Sequence, residues 1–193
     1  MRIKNPYLAL SDKSFWKKAV VEKMPDKLDN IYRKKFTLNN MDQIATVGSC
    51  FAQHVSRSLK KNGFNVLDKE GSEYSANYGN IYTVAQLLQL TRESISKSPI
   101  PNIAWAKDGK YIDALRPGAL IPPVDSPNEV IEQRLKHLQA VRAVLQEFDV
   151  FIFTLGLTEA WIRKEDNVVF PSAPGVIAGD FNPDLYEFKN YDF

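Results

Sequence analysis

The spacing of apolar residues changes character at Ile44. Before it, residues 1–43 are polar, carry Pro6 and Pro25, set Phe15 beside Trp16 and give little sheet signal. This stretch reads as an N-terminal arm packed on the core, with one short helix over Asp12–Glu22. From Ile44 onward strand spacing alternates with helix spacing, which predicts an α/β domain over residues 44–193.

The run Ile44-Ala45-Thr46-Val47 predicts a strand that turns through Gly48 into a helix. Phe51, Val55 and Leu59 mark that helix, and Asn62-Gly63 closes it. Phe64–Leu67 reads as a short second strand. Thr83 and Gln86 form a capping box for a helix with Val84, Leu87, Leu88, Thr91 and Ile95 on its inner side, stopped by Ser98–Pro101. Asp108-Gly109 predicts a hairpin within Trp105–Ile112. Ser126-Pro127-Asn128-Glu129 starts a long helix with a core stripe of Val130, Ile131, Leu135, Leu138, Val141, Leu145 and Phe148. His137 lies off that stripe and reads as solvated. Val150–Leu155 is apolar on both faces, as a central parallel strand is. Helix-bearing segments connect the three strands, so they are expected to be parallel neighbours in one sheet.

Composition narrows the function classes. The chain has 193 residues, 44% hydrophobic and 25% charged, as in a soluble globular domain. A formal net charge of +2 gives no electrostatic footing for nucleic acid or an anionic membrane. The clusters Arg33-Lys34-Lys35 and Lys60-Lys61 are too short to make an interaction patch. With a single cysteine there is no intramolecular disulfide framework and no thiol-rich metal cluster. No signal-type apolar core and no membrane-length run is present, so a cytoplasmic protein is expected.

Reactive side chains gather at two strand ends. Gly48-Ser49-Cys50 follows the first strand and Gly156-Leu157-Thr158-Glu159 the last, and a parallel sheet places both on one edge. The Asn77–Tyr82 loop is expected as a third wall. A helix N-terminus favours a thiolate or a developing oxyanion. Cys50 reads as a nucleophile or as a small buried hydrophobe, and Ser49 as a nucleophile or as a plain N-cap. His54 follows Cys50 by one helical turn on the same side and is either the local base or a packing residue. Backbone N–H groups at the helix start, Gly79, and the side chain of Asn77 or Asn80 are candidate oxyanion donors. Glu159 and Trp161 read as a loop carboxylate and an aromatic lid, or as substrate contacts. Asp108, Asp113 and Arg116 read as turn and loop chemistry.

The pentapeptide Gly48-Ser49-Cys50-Phe51-Ala52 resembles the signature of the GSCFA-domain family, which is grouped with the SGNH (GDSL-like) hydrolases. Further segments extend the resemblance along the chain: Asn5-Pro6-Tyr7, Tyr78-Gly79-Asn80-Ile81-Tyr82-Thr83, Asp113–Gly118, Phe153–Trp161 and Ala173–Gly179. The resemblance implies a three-layer α/β/α domain with a mostly parallel, flavodoxin-like sheet. It also implies an esterase, deacylase or acyltransferase acting on an acyl ester of a small molecule or glycan, with no metal or organic cofactor. Laid over the SGNH blocks, Gly48 matches the first glycine, Ser49 falls on the aspartate and Cys50 on the nucleophilic serine. Gly79 serves the second block. Gly156, Thr158 and Glu159 fall on the third, with Thr158 in place of asparagine. The late Asp-x-x-His block has no counterpart, since no histidine follows His137. The resemblance therefore implies either an incomplete domain whose C-terminal part is missing beyond Phe193, with an uncovered sheet edge open to self-association, or a shortened member of the family. The alternatives to an enzyme are a catalytically silent ligand-binding or scaffold domain, and a thiol redox sensor at Cys50.

Overall fold

The structure, a computed structural model, describes residues 5–29, 31–97 and 99–191. It divides into two compact units, residues 1–38 and 39–193. In the first unit, the α-helix expected over Asp12–Glu22 does not form. A 3-10 turn at Asp12–Ser14 is followed by extended backbone at Phe15 and a single π-type turn at Lys17–Val21. Ala19 is the only buried residue described in this unit. A short helix without a packed face does not recover its nucleation cost.

The second unit begins with β1 (Ile44–Val47) and α1 (Cys50–Lys61). Then come α2 (Val84–Ser96), the hairpin strands β2 (Ala104–Lys107) and β3 (Lys110–Asp113), and α3 (Pro127–Glu147). Four strands complete it: β4 (Val150–Phe153), β5 (Glu159–Arg163), β6 (Val169–Phe170) and β7 (Tyr186–Asn190). The fold is mixed α/β, with one parallel pair and two small antiparallel sheets among the described residues.

β1 and β4 run parallel, with Ile44 opposite Val150 and Val47 opposite Phe153. The segment expected as a second strand adds one parallel bridge, Val66 to Ile44. Further along that edge of β1, Ser75 replaces a ladder: its Oγ accepts the Thr46 N–H at 2.8 Å. The three segments are therefore parallel neighbours, but Phe64–Leu67 is not a full strand. Nor is β4 central. Among the described residues it pairs only with β1, and it ends at Phe153 rather than Leu155.

Local chemistry accounts for the helices. Ser49 caps α1, its hydroxyl accepting the Phe51 N–H at 3.3 Å. Thr83 and Gln86 form the full capping box of α2, and the Ser126 hydroxyl accepts the Glu129 N–H at the start of α3. The hairpin turns through Asp108 and Gly109, both at positive φ, as a two-residue primed turn requires.

Two helix faces differ from expectation. Val84, Leu88 and Ile95 are exposed, and α2 instead buries Gln86, Leu90, Glu93 and Ser94. In α3, Leu135 is exposed, whereas Arg134 and His137 are buried with Val130, Leu138, Val141 and Val144. Asp113 and Arg116, expected in loops, are buried as well. Gln86 and Ser94 are satisfied within their own helix region, by Tyr82 and Thr83 and by Thr91, whereas the buried charged groups and His137 have partners from distant segments. Arg134 binds both Glu93 and Asp113, and His137 binds Glu70. The expected helix stop begins at Ser98, which, like Asp192 and Phe193, lies outside the described residues.

The main core lies between α2, α3 and the strand pair, from Val47, Tyr74, Tyr78, Ile81, Leu90, Leu138 and Val141. A second core joins the hairpin to the β5 sheet, where Trp105 stacks on Phe170 at 5.1 Å.

Candidate functional site

The site is built outward from Gly48. Its φ of +145° is a conformation L side chains rarely adopt, and a Cβ there would lie 2.1 Å from Thr154 Oγ1. Glycine lets the two parallel strand ends approach. Thr154 N–H donates to the Val47 carbonyl, and Ser49 N–H donates to Thr154 Oγ1 at 3.2 Å. Cys50 is the first residue of α1 and is exposed, so it is not the buried hydrophobe that free cysteines often are. His54 is exposed one turn later and makes no side-chain hydrogen bond among the described residues.

The Asn77–Tyr82 loop meets this turn directly. Ile81 N–H donates to the Gly48 carbonyl at 2.9 Å. The Tyr74 hydroxyl lies 3.2 Å from Gly48 O, 3.0 Å from Ser49 O and 3.1 Å from Asn80 Oδ1, and it accepts from Gln53 Nε2. One tyrosine thus gathers both loops. Burial, aided by charge on Cys50 and opposed by the Gln53 hydrogen bond, pushes its pKa up to about 12, so the phenol keeps its proton. With Oδ1 of Asn80 turned to Tyr74, the amide nitrogen of Asn80 is left as a donor.

The third loop joins through backbone. Gly156 and Leu157 N–H both donate to the Tyr82 carbonyl, at 3.1 and 3.0 Å. Thr158 Oγ1 turns instead to Asn190 Oδ1 at 2.7 Å, tying the loop to β7. Glu159 is exposed at the start of β5, on the wall of a cavity of about 180 Å³ shared with Tyr82, Gln86 and Trp161. Gly79, at φ +71°, has its back to Arg116 and Ala119.

Residues 43–193 match the model of the GSCFA family. The chain belongs to the GSCFA family. No curated protein and no solved structure matches it. The family's name is spelled in this chain by Gly48-Ser49-Cys50-Phe51-Ala52, the turn where the three loops meet.

The GSCFA domain also holds a buried charge cluster that the sequence reading missed. His137 Nδ1 lies 2.9 Å from Glu70 Oε2, and Arg116 Nη2 lies 3.9 Å from Glu70 Oε1. Burial, with the Arg116 charge behind it, takes His137 down to about 4, so its imidazole is neutral near pH 7. Burial also lowers Arg116, to about 10. Burial works to raise the Glu70 pKa, but its hydrogen bond with His137 and the charge of Arg116 outweigh this and lower it. A signal was legible: Val130, Arg134, His137, Val141 and Val144 recur at spacings of three and four, so both polar residues fall on one helix face with valines.

Among the described residues no group of three His, Cys, Asp or Glu side chains is placed to hold a metal ion. No described helix is long and apolar enough to cross a membrane.

Proposed function

We propose that this GSCFA domain is an acyl hydrolase or acyltransferase of the SGNH type, acting on an acyl ester of a small molecule or glycan. The observation that carries the reading is the meeting of three loops at one parallel-strand end. An exposed thiol begins a helix there, and Asn80 is bound to the same turn through Tyr74. A three-layer, flavodoxin-like arrangement belongs to this proposal.

Cys50 is the nucleophile in this reading, because the Ser49 hydroxyl already serves as the helix cap. His54 takes the thiol proton, and the thiolate attacks the acyl carbon. The Cys50 N–H and the Asn80 amide nitrogen stabilise the resulting oxyanion. Collapse forms a thioester and breaks the ester C–O bond, and the leaving alkoxide takes the proton back from His54. Water or an acceptor hydroxyl then attacks the thioester and restores the thiol.

A catalytically silent binding domain is the second reading. It is favoured by the commitments in the third loop, where the Gly156 and Leu157 N–H groups and the Thr158 hydroxyl all have partners.

Hydrolysis of p-nitrophenyl acetate by the whole chain separates the two readings. The enzyme reading expects turnover, a trapped acyl mass on Cys50, loss of both in Cys50→Ala, and retention of most activity in Ser49→Ala. Absence of turnover in the wild-type chain, with Cys50 alkylation leaving every property unchanged, establishes the silent domain.

A further inference from the structure

Asn77 holds both of its backbone polar groups on ionic side chains, one half-buried and one buried. Its N–H donates to Glu70 Oε2 at 2.7 Å, and its carbonyl accepts from Arg116 Nε at 2.8 Å and again from Nη2. Glu70 is held in turn by His137 Nδ1. Arg116 is 4% exposed and His137 is fully buried. Burying ionic groups costs free energy that an apolar packing would avoid. Here they take the place of a strand ladder, because residues 77–82 belong to no helix or strand.

The same cluster touches the loop twice more. The Tyr78 ring stands edge-on to His137, with centroids 5.8 Å apart, and edge-on to Tyr74 at 5.9 Å. The Arg116 backbone backs Gly79, where a Cβ would lie 3.5 Å from the Arg116 Cα. His137, Arg116 and Asn80 also share the wall of a small cavity of about 20 Å³. His137 Nε2 has no hydrogen-bond partner among the described residues.

We propose that Glu70, Arg116 and His137 are positioning residues that clamp Asn77 and thereby hold Asn80 beside the Ser49–Cys50 turn. Their effect on catalysis rests on the acyl-transfer reading above. The clamp itself does not, so the two are tested separately.

Glu70→Gln keeps the side-chain shape and removes the charge, and Arg116→Lys keeps the charge and removes the planar fork. Glu73→Gln, at an exposed residue paired with Arg57, is the control. Amide hydrogen exchange is followed over residues 77–82 and over the hairpin 104–113. Both variants are expected to speed exchange in 77–82 by about tenfold or more while the hairpin stays within about twofold. Ester hydrolysis should fall about tenfold or more in kcat with KM little changed. Wild-type protection over 77–82 in both variants overturns the clamp, as does an equal loss of protection across the whole domain. Should Glu70→Gln fail to fold, Arg116→Lys alone decides. Where the wild-type chain shows no turnover, the acyl-transfer reading fails and the exchange result still decides the clamp.

Discussion

The backbone N–H of Ser49 donates to the hydroxyl of Thr154, 105 positions later in the chain. The contact joins the turn after β1 to the residue that follows β4. Only a glycine at position 48 permits it, because any Cβ would occupy the space of the Thr154 side chain.

Gly48→Ala is therefore expected to cost at least about 2 kcal/mol, combining backbone strain with overpacking. The measurement is a urea titration, read as a lower midpoint at unchanged slope. Adding Thr154→Ala removes the hydroxyl clash but not the positive φ, so it should restore only part of the loss. A fully stable single variant would mean that the turn relaxes without resistance.

Ser49→Ala removes the cap of α1 and should cost about 1 kcal/mol, whereas Ser49→Asp should cost little, since a carboxylate also caps. Thermal denaturation of the two variants checks this. Equal stability of Ser49→Ala and wild type would show that the cap bond is idle.

Acid should weaken the fold through His137. Its pKa is about 4 in the folded chain against an ordinary 6.5, so between these values the unfolded chain binds more protons. Stability then rises with pH across that window and falls as pH drops from 6.5 toward 4, by roughly 3 kcal/mol. Glu70 has a lowered pKa, so its contribution is present above the ordinary carboxylate range and lost only at still lower pH. Chemical denaturation at a series of pH values should show the slope in wild type. A slope that is undiminished in His137→Gln would remove His137 as its cause.

Arg134→Met leaves two buried carboxylates, Glu93 and Asp113, without their cation, and is expected to cost about 3–5 kcal/mol. Arg57→Met, at an exposed pair with Glu73, should cost about 1 kcal/mol or less. Comparable losses from the two would show that burial of the ion pair carries no weight.

Among the described residues the second edge of β4 is unpaired, and self-association through it is expected. Val150 and Thr154 N–H donate to the Gln43 and Val47 carbonyls, so alternation turns the N–H groups of Phe151 and Phe153 away from β1. An unpaired apolar edge invites a strand from another chain. Raising protein concentration across the micromolar range should slow amide exchange at Phe151 and Phe153 and increase the sedimentation coefficient. Concentration-independent behaviour in both would exclude pairing through this edge.

Local signals in the sequence carried the elements, and long-range partners decided what was buried. The α1 and α3 starts, the α2 capping box and the Asp108-Gly109 turn were legible because each is determined within a few residues. The parallel pairing of β1 and β4 followed from the connecting helices. Spacing puts Arg134 and His137 on the valine face of α3, but a polar residue there, like Glu93 in α2, reads as surface until its partner is known. Those partners lie 67 and 41 positions away. β5 and β6 were missed because Glu159–Arg163 shows no strict alternation and Val169–Phe170 is only two residues long, and β7 was missed although Tyr186 and Phe188 alternate with Glu187 and Lys189. The turn at Gly48–Cys50 stood out as a motif, but Tyr74, which binds it to Asn80, gave no signal of its own.

Arg134 has a consequence for how the domain assembles. Its guanidinium reaches Glu93 in α2 and Asp113 at the end of the hairpin. Glu93 also accepts the Ile100 N–H, and Asp113 the Leu115 N–H. Were α2 and the hairpin to close on each other before α3 docked, both carboxylates would be dehydrated with no counter-ion in place. That half-assembled state is penalised, so α3 must be in place when α2 and the hairpin exclude water from between them. No intermediate should accumulate in which those two segments are closed and α3 is open.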